Sequence, residues 1–305
     1  MQVRTSRMCI IALISLFSLF ATQAEAQSHV FNQPSGSPML RPKSRKAQMA
    51  KTSSGYTYSV LYNFCSAANC TDGKTPNAGL IEDAAGNLYG TTIGGGISSS
   101  SCQYDSQFIG CGTVFKIDIA GHETVLHAFC SVAGCVDGAN PTASLIQDAE
   151  GNLYGTTYSG GANGGGTVFK VDNNGNETVL YSFCSASGCS DGKNPYAGLI
   201  RDADGNLYGT TVFGGNSNSS CSASTCGTVF QLDNTNHETV LYPFCSASGC
   251  TDGANPYASL LRDAAGNLYG TTYEGGNDIF ECSGCGTVFK LDGAGHETVL
   301  FALRV

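Results

Sequence analysis

Tryptophan is absent from this 305-residue chain, methionine occurs four times, and charged residues make up only 13% of it. The sequence has no stretch rich in Ala, Leu, Glu and Lys together, the composition that favours helices. A helical bundle or coiled coil is thereby excluded. Basic residues are scarce where they would be needed for phosphate. From Gly55 onward eight Lys/Arg oppose 23 Asp/Glu, a net of −15, whereas the first 54 residues carry seven Lys/Arg and one acid, Glu25. So acidic a body repels a phosphodiester backbone, which argues against nucleic acid as a partner. After residue 26 no apolar run is long enough to span a bilayer, so the mature chain is expected to have no membrane span. The Gly-x-Ser-x-Gly, His-Glu-x-x-His and phosphate-loop patterns of common hydrolases and nucleotide-binding proteins are also missing.

What the chain does have is 40 Gly, 14 Tyr and 15 Phe within a 41% apolar composition. Many short strands joined by tight turns fit that mixture. At the N-terminus, Arg4 and Arg7 precede an apolar run from Met8 to Phe20, and Ala24-Glu25-Ala26 supplies a small-x-small cleavage pattern. Residues 1–26 therefore read as a secretory signal cleaved after Ala26, which places the protein outside the cytoplasm, secreted, periplasmic or at the cell surface. Residues 27–54, rich in Ser, Pro, Lys and Arg, read as a disordered basic spacer.

The remainder, 55–305, is repetitive. Gly-Asn-Leu-Tyr-Gly-Thr-Thr begins at Gly86, Gly151, Gly205 and Gly266, and Gly-Thr-Val-Phe at Gly112, Gly166, Gly227 and Gly286. A Val-Leu strand starts at Val60, Val125, Val179, Val240 and Val299, marking units of about 60–124, 125–178, 179–239 and 240–298 with a closing strand at 299–305. Within a unit four segments have strand length. In the third these are Ala197 to Asp202, Asn206 to Thr211, Thr228 to Asp233 and Glu238 to Phe244, the last two alternating with period two. Asp202-Ala-Asp-Gly-Asn206 and Asp172-Asn-Asn-Gly-Asn176 supply hairpin chemistry between them. The expected fold is all-β: a β-propeller of four four-stranded antiparallel blades. A β-solenoid, or half of a larger ring made by two chains, is the alternative.

The combined pattern Pro-x-Ala-x-Leu-x-x-Asp-x-x-Gly-Asn-Leu-Tyr-Gly-Thr-Thr, Gly-Gly, Gly-Thr-Val-Phe-Lys-x-Asp resembles the repeat of the GloVer-type choice-of-anchor tandem-repeat proteins, over all four units. Its Asp-x-x-Gly-Asn-Leu-Tyr-Gly-Thr part is similar to blades of two-component-regulator propellers. The first resemblance implies an exported bacterial surface protein without an assigned activity. Relatives often end in an anchoring signal; for this chain, which stops at Phe301-Ala-Leu-Arg-Val305, none is expected.

Apart from Cys9, the cysteines form close pairs. Four follow the fourth strand: Cys65/Cys70, Cys130/Cys135, Cys184/Cys189 and Cys245/Cys250. Three lie between the second and third: Cys102/Cys111, Cys221/Cys226 and Cys282/Cys285. Unit two has lost both members at the latter position, as local disulfides require. Cys282-Ser-Gly-Cys285 has half a zinc spacing but no second half. Meander parity places all seven bridges on one face, with the longest loops. Rigid long loops on a common face are the expected binding surface. Candidates there are Asp72, Asp137, Asp191 and Asp252, each followed by Gly, together with Gln103-Tyr104-Asp105, Tyr158, Tyr273-Glu274 and Asp278 to Glu281. A ring of the four aspartates would collect a cation such as Ca²⁺; plain turn chemistry is the competing reading, and no other cofactor is expected. Asp202 to Asn206 resembles a calcium loop without its bidentate Glu, and His122, His237 and His296 occupy one turn position. The units differ mainly in loop length, with no one unit carrying a new polar constellation, so the first expectation is a non-enzymatic binding or scaffold module for an extracellular glycan or protein. A hydrolase or lyase acting on extracellular polysaccharide, and a structural cell-surface component, are the alternatives.

Overall fold

The computed structural model describes residues 50–51, 57–99, 102, 110–216, 226–276 and 285–302. The signal segment 1–26, the spacer through residue 49, Tyr104 and Asp278 to Glu281 lie outside the described residues. Ala50–Lys51 (β1), assigned above to the spacer, pair with Thr57–Tyr58 (β2) in a two-stranded ladder.

Four four-stranded antiparallel sheets follow. The first holds β3 (Ile81–Glu82), β4 (Leu88–Thr92), β5 (Thr113–Ile117) and β6 (Glu123–Ala128). The second holds β7 (Ile146–Gln147), β8 (Leu153–Thr157), β9 (Thr167–Val171) and β10 (Glu177–Ser182). The third holds β11 (Ile200–Arg201), β12 (Leu207–Thr211), β13 (Thr228–Leu232) and β14 (Glu238–Pro243), and the fourth β15 (Leu261–Arg262), β16 (Leu268–Thr271), β17 (Thr287–Leu291) and β18 (Glu297–Ala302). Each is a simple meander in chain order. No α-helix occurs among the described residues; only single 3₁₀ turns interrupt the strands. The repeat boundary at 124/125 cuts through a strand, since Glu123–Ala128 closes the first sheet.

The hairpins explain the motif. In the third sheet Asp202 Oδ1 accepts the Asp204 and Asn206 amides, while Oδ2 accepts the Asn206 side-chain amide and the Tyr208 hydroxyl at 2.9 Å. Asp-x-x-Gly-Asn-Leu-Tyr is thus one hydrogen-bonded turn, repeated at Asp83, Asp148 and Asp263. Its carboxylate is fully engaged, which is why Asp202 to Asn206 works as a turn. The same Asp turn joins the third and fourth strands, where His122 sits 78% exposed beside Asp118.

The first strand of each sheet is only two residues long, shorter than the sequence reading. Its preceding residues turn instead to the previous sheet: Thr91, Thr156 and Thr210 hydroxyls donate to the carbonyls of Ala143, Ala197 and Ala258. Phe129 and Phe169, Phe183 and Phe230, and Phe244 and Phe289 meet edge to face at 4.9–5.0 Å across the three junctions. Three apolar clusters result, one per junction, with Leu145, Leu199 and Leu260 buried at matching positions. Burial between successive sheets, at roughly 25 cal/mol per Å² of apolar surface, is what holds the array together. No sheet can bury both faces alone.

Candidate functional site, the loop face

The loops after the second strands and those leading into the next sheet share one end of the array, as parity requires. Cys70, Cys135, Cys189 and Cys250 carbonyls accept the amides of Gly96, Gly161, Gly215 and Gly276, tying each crossover to the neighbouring second-to-third strand loop. Disulfides join Cys65–Cys70, Cys102–Cys111, Cys130–Cys135, Cys184–Cys189 and Cys245–Cys250. Cys226 and Cys285 are also disulfide-bonded; Cys221 and Cys282 lie outside the described residues. In the first sheet two bridges touch, with Cys102 and Cys135 sulfurs 3.7 Å apart. Cys102, Cys111, Cys130 and Cys135 would offer four converging ligands to a metal if reduced, but as disulfides they present no thiolate.

Asp72, Asp137, Asp191 and Asp252 are buried, each under its own loop. Asp191 Oδ2 accepts the Tyr181 hydroxyl at 2.8 Å and the Ser185 amide and hydroxyl. Tyr62 and Ser66 serve Asp72 in the same way, whereas Asp252 accepts the Tyr242 hydroxyl and the Ser246 amide while the Ser246 hydroxyl donates to the Pro243 carbonyl. In the second crossover the tyrosine is replaced by His127, whose Nε2 lies 3.5 Å from Asp137 Oδ2. Burial lowers the His127 pKa, opposed by Asp137. Burial alone would raise Asp72, but the hydrogen bonds from Tyr62 and Ser66 outweigh it and hold that carboxyl below its usual range. These four carboxylates brace their loops against the strand ends that precede them: His127, Tyr181 and Tyr242 lie in β6, β10 and β14, and Tyr62 lies ahead of the first sheet.

The same geometry reaches the next sheet. Glu123, Glu177, Glu238 and Glu297 open the fourth strands, and each is raised from 4.5 to about 7, by burial first and then by the charge of Asp72, Asp137, Asp191 or Asp252. Tyr181 lies near both members of one such pair and donates its hydroxyl to Asp191.

Tyr158 and Tyr273 come together through two residues the sequence reading passed over. Tyr158 meets Tyr196 edge to face at 6.2 Å, Tyr196 meets Tyr257 at 5.4 Å, and Tyr257 meets Tyr273 at 5.7 Å. The chain of rings crosses the second, third and fourth sheets. Tyr158 and Tyr273 follow the Thr-Thr of a second strand, whereas Tyr196 and Tyr257 stand between Pro and Ala ahead of a first strand. Two side-chain amides fix the backbone: Asn194 Nδ2 donates to the Tyr158 carbonyl at 2.7 Å, and Asn255 Nδ2 to that of Val212 at 2.9 Å. The Thr142 hydroxyl holds the Tyr196 carbonyl. Tyr257 and Tyr273 are 41% and 60% exposed. Burial raises the Tyr158 phenol, with Tyr196 adding to it. Burial also raises Tyr257, reinforced by the nearby Tyr158 and Glu274. The arrangement presents aromatic faces, phenolic hydroxyls and one carboxylate on a rigid base.

No curated relative matches the chain. Solved structures of related shape are distant. One is a structural-genomics target bearing the name gluconolactonase, at 14% identity and TM-score 0.41, covering 82% of this chain and 68% of that one. Another is a luciferin-regenerating enzyme at 15% and 0.39, with 74% and 64% covered. A third is a GH43 β-xylosidase/α-arabinofuranosidase from a compost microbial metagenome at 10% and 0.39, with 73% and 75% covered. At these values their activities stay with those proteins. The sequence itself is decisive where the shapes are not: residues 48–251, more than half of the chain, match the Gloeobacter/Verrucomicrobia repeat. By that repeat, the chain belongs to the Gloeobacter/Verrucomicrobia repeat family.

Proposed function

We propose that the protein is an extracellular binding module that holds a glycan on the Tyr158–Tyr196–Tyr257–Tyr273 chain. The observation that carries this reading is four tyrosines from three successive sheets in mutual contact, two of them well exposed. A tyrosine joins a large apolar face to a polar tip. The C–H face of a sugar ring packs on the former, while its hydroxyls bond the phenols and Glu274. Tyr196 and Tyr257 sit on crossovers that carry a disulfide, Cys184–Cys189 and Cys245–Cys250, and lose little freedom on binding, which favours affinity. A pocket built of aromatic faces with few convergent polar groups is the usual form of a small-ligand site.

Because the chain contains no tryptophan, its emission comes from 14 tyrosines, four of them in the site. A panel of soluble polysaccharides and oligosaccharides is expected to include one that changes this emission saturably. Tyr257→Ala is expected to weaken that ligand by about tenfold or more, the equivalent of about 1.4 kcal/mol, with the melting temperature unchanged. A Tyr257→Ala protein that binds every ligand as the parent does would remove the reading.

A further inference from the structure

The junction between successive sheets is built three times, and each time from the same parts. The following sheet offers a leucine just ahead of its first strand: Leu145, Leu199 and Leu260 are 1%, 3% and 2% exposed. Its counterpart in the first sheet, Leu80, is 47% exposed, and Pro76 is exposed where Pro141 is buried. The preceding sheet offers Ile81, Tyr89, Val114 and Leu126 in the first junction, then Ile146, Tyr154, Val168 and Leu180, then Ile200, Tyr208, Val229 and Leu241. The fourth sheet repeats that set as Leu261, Tyr269, Val288 and Leu300, and here Leu261 is 73% and Leu300 51% exposed. The array therefore ends in two apolar faces of opposite kind, each the partner of the other; among the described residues only the segment with Leu61, Tyr62 and Phe64 lies on either, along the outer edge of the first sheet, and it leaves Leu80 and Leu261 exposed.

We propose that the fourth sheet of one copy docks on the first sheet of a second copy, through the same junction that joins sheets within the chain. Both hydrogen-bonding ends are in place: Thr271 matches the Thr91, Thr156 and Thr210 donors, and Ala78 matches the Ala143, Ala197 and Ala258 acceptors. The outer edge is complementary too. Phe64, ahead of the first sheet, already packs on Phe115 at 4.7 Å, the role of Phe129 on Phe169. The sequence after the last strand has Leu303-Arg304 where its counterparts have Phe-Cys. Each copy thus carries on its first sheet the residue that the other's fourth sheet lacks. A head-to-tail contact builds a ring or a filament, depending on whether the rotation closes. Rings of four-stranded sheets hold about four to eight members, and two copies of four fill the upper end of that range.

One position differs usefully. Arg201 and Arg262 lie over Tyr154 and Tyr208 of the preceding sheets, at 6.0 and 5.6 Å from the ring centres. The corresponding residue of the first sheet is Glu82, which leaves Tyr269 without that cation. Native mass spectrometry and light scattering at micromolar protein test the assembly. The expected result is a two-chain particle that Leu261→Lys dissociates and Glu82→Arg tightens by about tenfold or more, roughly 1.4 kcal/mol. Both sites are on the surface, so unchanged melting temperatures for the isolated chains identify the effect as one on assembly. A one-chain particle at every concentration, or an assembly indifferent to Leu261→Lys, would each overturn it.

Discussion

Raising the pH from 5 to 8 is expected to lower the melting temperature by about 4–8 °C, at 2–4 °C per kcal/mol for a domain of this size. The cause is four glutamates, Glu123, Glu177, Glu238 and Glu297, each raised from 4.5 to about 7 at a junction beside a loop aspartate. A carboxyl with a higher pKa in the folded chain binds its proton more tightly there than in the unfolded chain. Its contribution is complete below about 4.5, shrinks as pH rises, and is gone above about 7. These side chains are only partly buried, so solvent screening cuts each contribution to about 0.5 kcal/mol and the four to about 2 kcal/mol. The turn aspartates act in the opposite sense. Asp83 falls to about 2, through the Asn87 amide first and with help from Tyr89, so it favours folding above its ordinary pKa of 3.8 and loses that effect in strong acid. Maximal stability is expected near pH 5. Replacing all four glutamates by Gln should flatten the limb between pH 5 and 8 and leave the acid limb in place. A melting curve that rises from pH 5 to 8 in the parent protein would contradict the assignment.

Gly214→Ala is expected to cost about 3 kcal/mol or more, read as a lowered urea midpoint. Gly214 has φ +89°, and a Cβ there would lie 2.4 Å from the Gly192 Cα and 2.7 Å from the Cys189 carbonyl oxygen. Two backbones from different loops pass at that point, and neither has a flexible side chain to move aside. Backbone strain from the positive φ adds about 1 kcal/mol or more. Gly95, Gly160 and Gly275 occupy equivalent crossings. The same substitution at Gly249, whose added Cβ meets nothing within 4 Å, should cost only the price of its φ of +68°. Equal midpoints for the two variants would show that the crossing tolerates a side chain.

Much of this fold was legible from residue order. The Gly-Asn-Leu-Tyr and Gly-Thr-Val-Phe spacings mark the second and third strands of every sheet, because those strands are stapled by local turns whose chemistry is written in adjacent positions. Cysteine pairing was equally readable, since each described bridge joins cysteines only five or nine positions apart. The first strands were overestimated because Ala197 and its equivalents bond across a junction, a partner that lies 41 residues away and leaves no local pattern. The tyrosine chain was half visible. Tyr158 and Tyr273 stood out as additions to a repeated Thr-Thr, but Tyr196 and Tyr257 share their position with Asn77 and Thr142, and only the contact between sheets gives it meaning. Asp72, Asp137, Asp191 and Asp252 were singled out by their repetition. Their hydrogen bonds to Tyr62, Tyr181 and Tyr242, ten residues earlier, are long for a turn motif and could not be read from the Asp-Gly pair.

Peptide mapping without reduction tests the loop face most directly, because its rigidity depends on bridges closed within single loops. Cys102 and Cys135 offer a real competitor, with their sulfurs only 3.7 Å apart. The expected map shows Cys102 joined to Cys111 and Cys130 to Cys135, with Cys65–Cys70, Cys184–Cys189 and Cys245–Cys250 alongside. Peptides linking Cys102 to Cys135, or free thiols at these positions, would contradict it.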